Sequence, residues 1–213
     1  MTGNPMAQAE FVVRTIAQTA VANEKYFGDL DAVVGDGDFG YSLARGFEVV
    51  LADWDTFDRT DVATFLRKIA VVITSKVGGT SGPLWGTAFL RAATTAAASP
   101  DLTGGTVVTM LRAAAEGIQA RGSASLGDKT LLDALIPATD EIARQLELGS
   151  DAPTTIRAAA TVARTSADAT AGLEARRGRA SYTGERSIGS VDPGAVAVAV
   201  IFEALADAWP TAS

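Results

Sequence analysis

Apolar residues recur along this chain at steps of three and four and seldom alternate, a spacing that predicts helices nearly throughout. Over residues 6–27, Phe11, Ile16, Ala20 and Phe27 form a broad apolar stripe, and Gly28 reads as a helix stop. Tyr41 to Leu51, with Leu43, Phe47 and Val50, resumes a helix. Asp61 caps the next, Val62 to Lys76, where Phe65, Ile69, Val72 and Ile73 fall at i, i+4, i+7 and i+8. Further helices are expected at Thr87–Ala98, Gly104–Ala120, Lys129–Leu148, Pro153–Arg176 and Gly194 to about Trp209. The alternating Ala195 to Val200 run could be a strand, but no neighbouring stretch offers a partner, so a buried helix is preferred. The sum is an all-α protein of about eight helices in a single domain over residues 1–213, interrupted by polar loops at 31–42, 78–82, 121–130 and 177–194.

Composition narrows what those loops can do. There is no Cys, no basic-then-apolar leader at Met1 to Pro5, and no apolar run near the ~20 residues of a membrane span. A cytoplasmic protein without membrane attachment is the expectation. The net charge of −7 disfavours nucleic acid as a partner, because phosphate-backbone binding needs a basic face. The absence of His removes Ser-His-Asp catalysis and any phosphohistidine on this chain. Chemistry must rest on carboxylates, metal, Arg, Lys and backbone amides.

The stretch from Asp31 to Gly40 places Asp31, Asp36 and Asp38 within eight residues, with glycines between them. Two carboxylates ~4 Å apart repel by about 4 kcal/mol at an effective dielectric of ~20. A hard cation such as Mg²⁺ or Ca²⁺ is the natural remedy, since oxygen is the only ligand on offer. A solvated acidic turn is the alternative, weakened by the apolar Ala32-Val33-Val34. The same residues spell G-x-G-x-x-G, but two acids would repel a pyrophosphate and no βαβ pattern follows. An EF-hand fails as well, because position 12 counted from Asp36 is Phe47.

Three more loops carry candidate chemistry. Gly78-Gly79-Thr80-Ser81-Gly82 can bring backbone amides and two hydroxyls close to phosphates. Gly122 to Thr130 resembles a P-loop with Asp128 inserted before Lys129, so P-loop geometry is not expected, although Lys129 and a helix start remain candidates for an anion contact. Arg176, Arg177, Arg179 and Arg186 make the one strongly basic stretch, either a solvated loop or a cationic wall for phosphates. Asp192 reads as the cap of the last helix, with a ribose or phosphate-side contact as its alternative role.

Taken in order, Asp31 with Gly35-Asp36-Gly37-Asp38, then Gly78 to Leu84, then Gly127-Asp128-Lys129-Thr130 with Leu132-Asp133-Ala134, then Gly178 through Gly189 to Asp192-Pro193-Gly194, resemble the L subunit, the nucleotide-binding domain of dihydroxyacetone kinases. The resemblance implies an eight-helix antiparallel barrel holding ADP or ATP and two Mg²⁺ in loops at one end. It places the metal on Asp31, Asp36 and Asp38, and the nucleotide on Phe39, Gly40, Tyr41 and Ser42, on Gly79, Thr80 and Ser81, near Gly122 and Leu131, on Arg179, and on Asp192, Pro193 and Gly194. The resemblance also implies catalytic roles for Arg179, Asp36 and Asp38. The implied activity is transfer of the γ-phosphate to dihydroxyacetone or a related short ketose held on a K-type partner subunit, with an M-type phosphohistidine subunit of a phosphoenolpyruvate-dependent system recharging ADP. The different-class alternative is a nucleotide-sensing module that docks on a regulator. Two positions depart from the family pattern: Phe39 stands for the usual His and Ser42 for the usual Asn.

Overall fold

In the computed structural model, which describes residues 4–99 and 101–209, nine α-helices and no strands are found among those residues. Residues 1–3, part of the stretch read for a leader, lie outside that range. The helices are α1 (Pro5–Ala22), α2 (Glu24–Asp31), α3 (Phe39–Ala52), α4 (Val62–Lys76), α5 (Ser81–Ala98), α6 (Gly104–Gly122), α7 (Leu132–Glu147), α8 (Ala152–Ala169) and α9 (Pro193–Ala208). Successive long helices pack on one another from α3 to α9, α1 packs on α3, and α9 returns to pack on α1, closing a circuit of eight with α2 laid against α3. Among the described residues no helix is long and apolar enough to cross a membrane.

The circuit encloses one apolar cluster. Phe27, Phe47, Phe65, Leu43, Ile69, Ile73, Ile118 and Leu132 are fully buried in it. The Ala-Val alternation of 195–200 is helical, as expected. Residues 195–199 of α9 are buried on every side, so no polar face is left to mark a helical period in the sequence.

Helix boundaries differ from the sequence reading in three regions, and glycine packing explains two. The expected helix over 6–27 divides at Asn23, whose backbone and side-chain N–H groups both bond the Thr19 carbonyl, and Gly28 lies inside α2 instead of ending it. Gly40 of α3 crosses α2 there: a Cβ on Gly40 would collide with the Glu24 carbonyl and come within 2.6 Å of the Gly28 nitrogen. Likewise α5 begins at Ser81, six residues before the expected start, because Gly82 and Gly86 are crossing points. A Cβ on Gly86 would strike the Thr74 hydroxyl of α4 and sit 3.1 Å from the Ala70 carbonyl. The third difference is at the chain's polar segments. α7 starts at Leu132 instead of Lys129, α8 ends at Ala169 instead of Arg176, and Arg179–Ser187 forms a 3₁₀ stretch broken at Gly184.

Asp192 caps α9 through the Ala195 N–H at 2.7 Å and is held by its own N–H to the Thr170 hydroxyl at 2.8 Å. Burial pushes its carboxyl up to about 7, against the Ala195 bond, with Asp133 and Asp31 raising it further and Lys129 opposing.

Gly40→Ala is expected to lower stability by about 1–3 kcal/mol through overpacking, where helix propensity alone would favour Ala by about 1 kcal/mol; urea unfolding measures the sign, and a stabilised variant would contradict the close crossing. For Asp192, the unfolded chain ionises near pH 4 while the folded chain keeps its proton to about pH 7, so the stability this group contributes below pH 4 declines as pH rises through that window. In chelator-treated buffer, Asp192→Asn, which retains a cap acceptor, is expected to flatten thermal stability against pH between 4 and 7.

Candidate functional site

Asp31 is the last residue of α2 and Asp38 the residue before α3, so the turn between them decides whether their charges meet. The Asp31 carbonyl accepts from Val34 and Gly35, and Gly37, at φ +76, reverses the chain in the left-handed region open to glycine. Gly35 lies against the Asp31 carboxylate, where a Cβ would stand 2.9 Å from its Cγ. Carboxylate oxygens of Asp31, Asp36 and Asp38 consequently lie within 4.8 Å of one another, Asp31 half-buried and the others exposed. An all-oxygen set of this size fits a hard divalent cation such as Mg²⁺ and lacks the nitrogen or sulfur donors that softer metals favour.

The countercharge comes from 141 residues away. Arg179 pairs with Asp36 and reaches Asp38 at 3.3 Å. With Arg179 54% exposed, the pair is open to water and screened, and the guanidinium can exchange for another cation. Of the four arginines in the basic stretch, Arg179 is the one bonded to these carboxylates; Arg177 pairs with Asp128 at 3.4 Å.

Phe39 donates its backbone N–H to Asp31 at 3.3 Å, and its ring packs toward Phe27 at 6.1 Å. It therefore supports the turn through its backbone and turns its side chain toward the core. Gly40 is buried at the α2 crossing and Tyr41 is exposed; Ser42 faces Gly78, where an added Cβ would lie 2.9 Å from its hydroxyl. That contact joins the α3 start to the loop before α5, in which Gly79 has φ +60, Thr80 precedes the helix and Ser81 opens it. Gly122, the last residue of α6, faces Leu84, and Gly194 in the first turn of α9 faces Leu131 just ahead of α7. The α2–α3, α4–α5, α6–α7 and α8–α9 connections are thus joined at one end of the circuit, with the starts of α3, α5, α7 and α9 among them.

The caps divide the two ends. α1, α4, α6 and α8 start under side-chain caps from Asn4, Asp61, Thr103 and Asp151. At the carboxylate end the N-cap residues of α3, α5 and α7, Asp38, Thr80 and Leu131, give no side-chain bond, although the first N–H of α3 goes to the Asp31 carboxylate and that of α7 to the Thr130 hydroxyl; α9 is capped by its own N-cap residue, Asp192. Uncapped N-terminal N–H groups and the positive end of the helix dipole attract anions.

Lys129 does not belong to that anion-facing set. Its Nζ turns inward, 3% exposed, and donates to the carbonyls of Leu173 at 3.0 Å, Ser187 at 2.5 Å and Ser190 at 2.6 Å. The expected phosphate contact is therefore corrected: all three ammonium hydrogens are engaged, and the residue itself sits at φ +61. Two buried acids carry roles that sequence reasoning did not assign. Asp133 accepts from Gly127 at 2.5 Å and Thr130 at 2.7 Å, and Asp128 accepts from Ser125 at 2.9 Å. Thr130-x-x-Asp133 has the spacing of a capping box, which is the signal that could have found the first.

Three comparisons bear on this arrangement. The DAK2 domain profile matches residues 33–207. The ADP-binding subunit DhaL of the PEP-dependent dihydroxyacetone kinase of Escherichia coli (strain K12) is 38% identical over 182 residues, 85% of this chain and 87% of that one. An L-erythrulose 1-kinase of Mycolicibacterium smegmatis is 36% identical over 198 residues, 92% of this chain but 34% of the longer relative. Among solved structures, the dihydroxyacetone kinase of C. freundii in complex with AMP-PNP and Mg²⁺ superposes with a TM-score of 0.77 at 27% identity, covering 97% of this chain, which spans about a third of that one (34%). On the profile match and the shared length with the bacterial subunit, the chain belongs to the DAK2 domain family, as a DhaL-type member.

Proposed function

We propose that this chain is the nucleotide-binding phosphotransferase subunit of a dihydroxyacetone kinase-type system. The observation that carries the reading is the shared mouth of the Asp31, Asp36 and Asp38 carboxylates and the starts of α3, α5 and α7, whose N-cap residues contribute no side-chain bond. One set suits divalent cations and the other suits phosphates, and together they suit a Mg²⁺-nucleotide. The subunit and kinase likenesses named above support the same reading.

In this reading Asp31, Asp36 and Asp38 would hold Mg²⁺, two ions on the family resemblance, which would supply positive charge to offset that of the nucleotide phosphates. The α3 start at Phe39, Gly40, Tyr41 and Ser42 and the loop at Gly79, Thr80 and Ser81 receive the phosphates of ADP or ATP, the Phe39 and Ser42 N–H groups being already given to the Asp31 carboxylate and the Asp38 carbonyl. Gly122, Leu131, Pro193 and Gly194 form the far wall for the rest of the nucleotide, with Asp192 beneath it. Arg179 leaves Asp36 and Asp38 for the transferred phosphoryl group, where a guanidinium matches the equatorial oxygens. The chain has no His to carry a phosphoryl group, so a K-type partner holds the acceptor, dihydroxyacetone or a related short ketose, and an M-type partner returns phosphate to ADP. Val33, Tyr41, Leu126, Tyr182 and Ile188, exposed on the loops around the carboxylates and the α3 start, suit a face that meets another protein.

Asp36→Asn is expected to weaken Mg²⁺-dependent ADP binding by at least about 100-fold in titration calorimetry with far-UV ellipticity unchanged; wild-type affinity would refute the metal assignment. Arg179→Ala is expected to lower phosphoryl transfer to dihydroxyacetone on a K-type chain by about 100-fold while ADP affinity stays within a few-fold. A wild-type protein that binds nucleotide but supports no transfer with such partners would favour the sensing module.

A further inference from the structure

Arg179 lies in a segment, 173–192, that has no α-helix of its own and whose reach toward Asp36 and Asp38 must be set from elsewhere. Lys129 is placed to set it. Its three hydrogens go to Leu173 at the segment's beginning and to Ser187 and Ser190 near its end, residues 44, 58 and 61 positions away in the chain. One ammonium thus draws both ends of the segment to a single buried point. Neighbouring bonds strengthen the same junction: the Arg176 N–H donates to the Asp128 carbonyl at 3.0 Å, and Arg177 pairs with the Asp128 carboxylate. Within the segment the Ser187 hydroxyl accepts from Ala175 at 2.9 Å and donates to Gly184 at 2.7 Å. The turn carrying Lys129 is itself pinned, through Gly127 and Thr130, to Asp133 at the start of α7.

We infer that Lys129 is a positioning residue for Arg179, holding the 173–190 segment at the height from which the guanidinium meets the carboxylates and the phosphoryl group. The inference rests on the reading of Arg179 given under Proposed function. Burying an ammonium carries a desolvation cost that an apolar side chain would avoid, and burial holds this one below the usual lysine range. Keeping it at a left-handed backbone position is explained if three converging carbonyls require that charge at that point. Without it, three inward-facing carbonyl oxygens lose their partner and the segment opens around Arg179, whose own bonds to Asp36 and Asp38 are exposed.

Lys129→Cys tests this cleanly, because the chain has no cysteine and aminoethylation rebuilds an ammonium at nearly the original reach. The unmodified variant is expected to lose about 10- to 100-fold in phosphoryl transfer, with Mg²⁺-ADP affinity within a few-fold, and to be cut faster by trypsin at Arg176, Arg177, Arg179 or Arg186. Aminoethylation is expected to restore slow cutting and most of the transfer. Combined with Arg179→Ala, the substitution is expected to cost less than about twofold further, since the two act through one group. Multiplicative losses, or cutting at the wild-type rate, would overturn the role of Lys129 alone; wild-type transfer by Arg179→Ala would overturn the underlying reading with it. Should the cysteine variant not fold, Lys129→Gln, a shorter arm with two donors, is subjected to the same transfer, trypsin and double-substitution measurements.

Discussion

Carboxylate oxygens within 4.8 Å of one another repel strongly unless positive charge stands beside them. The site end of this protein is organised by that constraint. The α2–α3 turn forces Asp31, Asp36 and Asp38 together, and the answering charge is not local but arrives on the α8–α9 connection as Arg179. Because that ion pair is exposed, it is weak enough to yield to a divalent cation. The acid cluster and its cation therefore read as two parts of one exchangeable arrangement. The helix starts beside it add further positive potential without adding a side-chain charge.

Bringing the parts together demands close backbone approaches, and glycine supplies them. Gly40 lets α3 cross α2 directly before the aspartate turn, Gly82 and Gly86 let α5 lie on α4, and Gly194 admits Leu131 beside the start of α9. Gly40, Gly82 and Gly86 look like loop punctuation in the sequence, yet all four lie in helix interiors or first turns where a methyl group would meet backbone or a neighbouring side chain. Close approach thus aligns the starts of α3, α5, α7 and α9 at one end, while side-chain caps close α4, α6 and α8.

Below the exposed layer lies a buried polar one. Lys129, Asp133, Asp128, Ser187 and Thr170 bond mainly to backbone groups and join the α6–α7 and α8–α9 connections. Buried polar groups of this sort specify geometry, because each has few arrangements that satisfy it. Asp192 shares the layer's character, capping α9 while burial holds its carboxyl toward neutrality.

Much of this was legible from residues alone. Helical periodicity gave the class and most helices, with Val62–Lys76 matched at both ends, because that amphipathic stripe and its Asp61 cap are local signals. The acid triad was legible because its members lie within eight residues, and its nearness to Arg179 was implied by a family resemblance. What only tertiary structure decided is where long-range contacts override local preference. Gly28 reads as a stop but is a helix crossing; Lys129 reads as a candidate anion contact but is buried against three carbonyls; Phe39 follows the carboxylate cluster but directs its ring to Phe27. Each of these depends on a partner dozens of residues away, or on which side of a turn faces the core, and the side-chain types along the chain do not encode either by themselves.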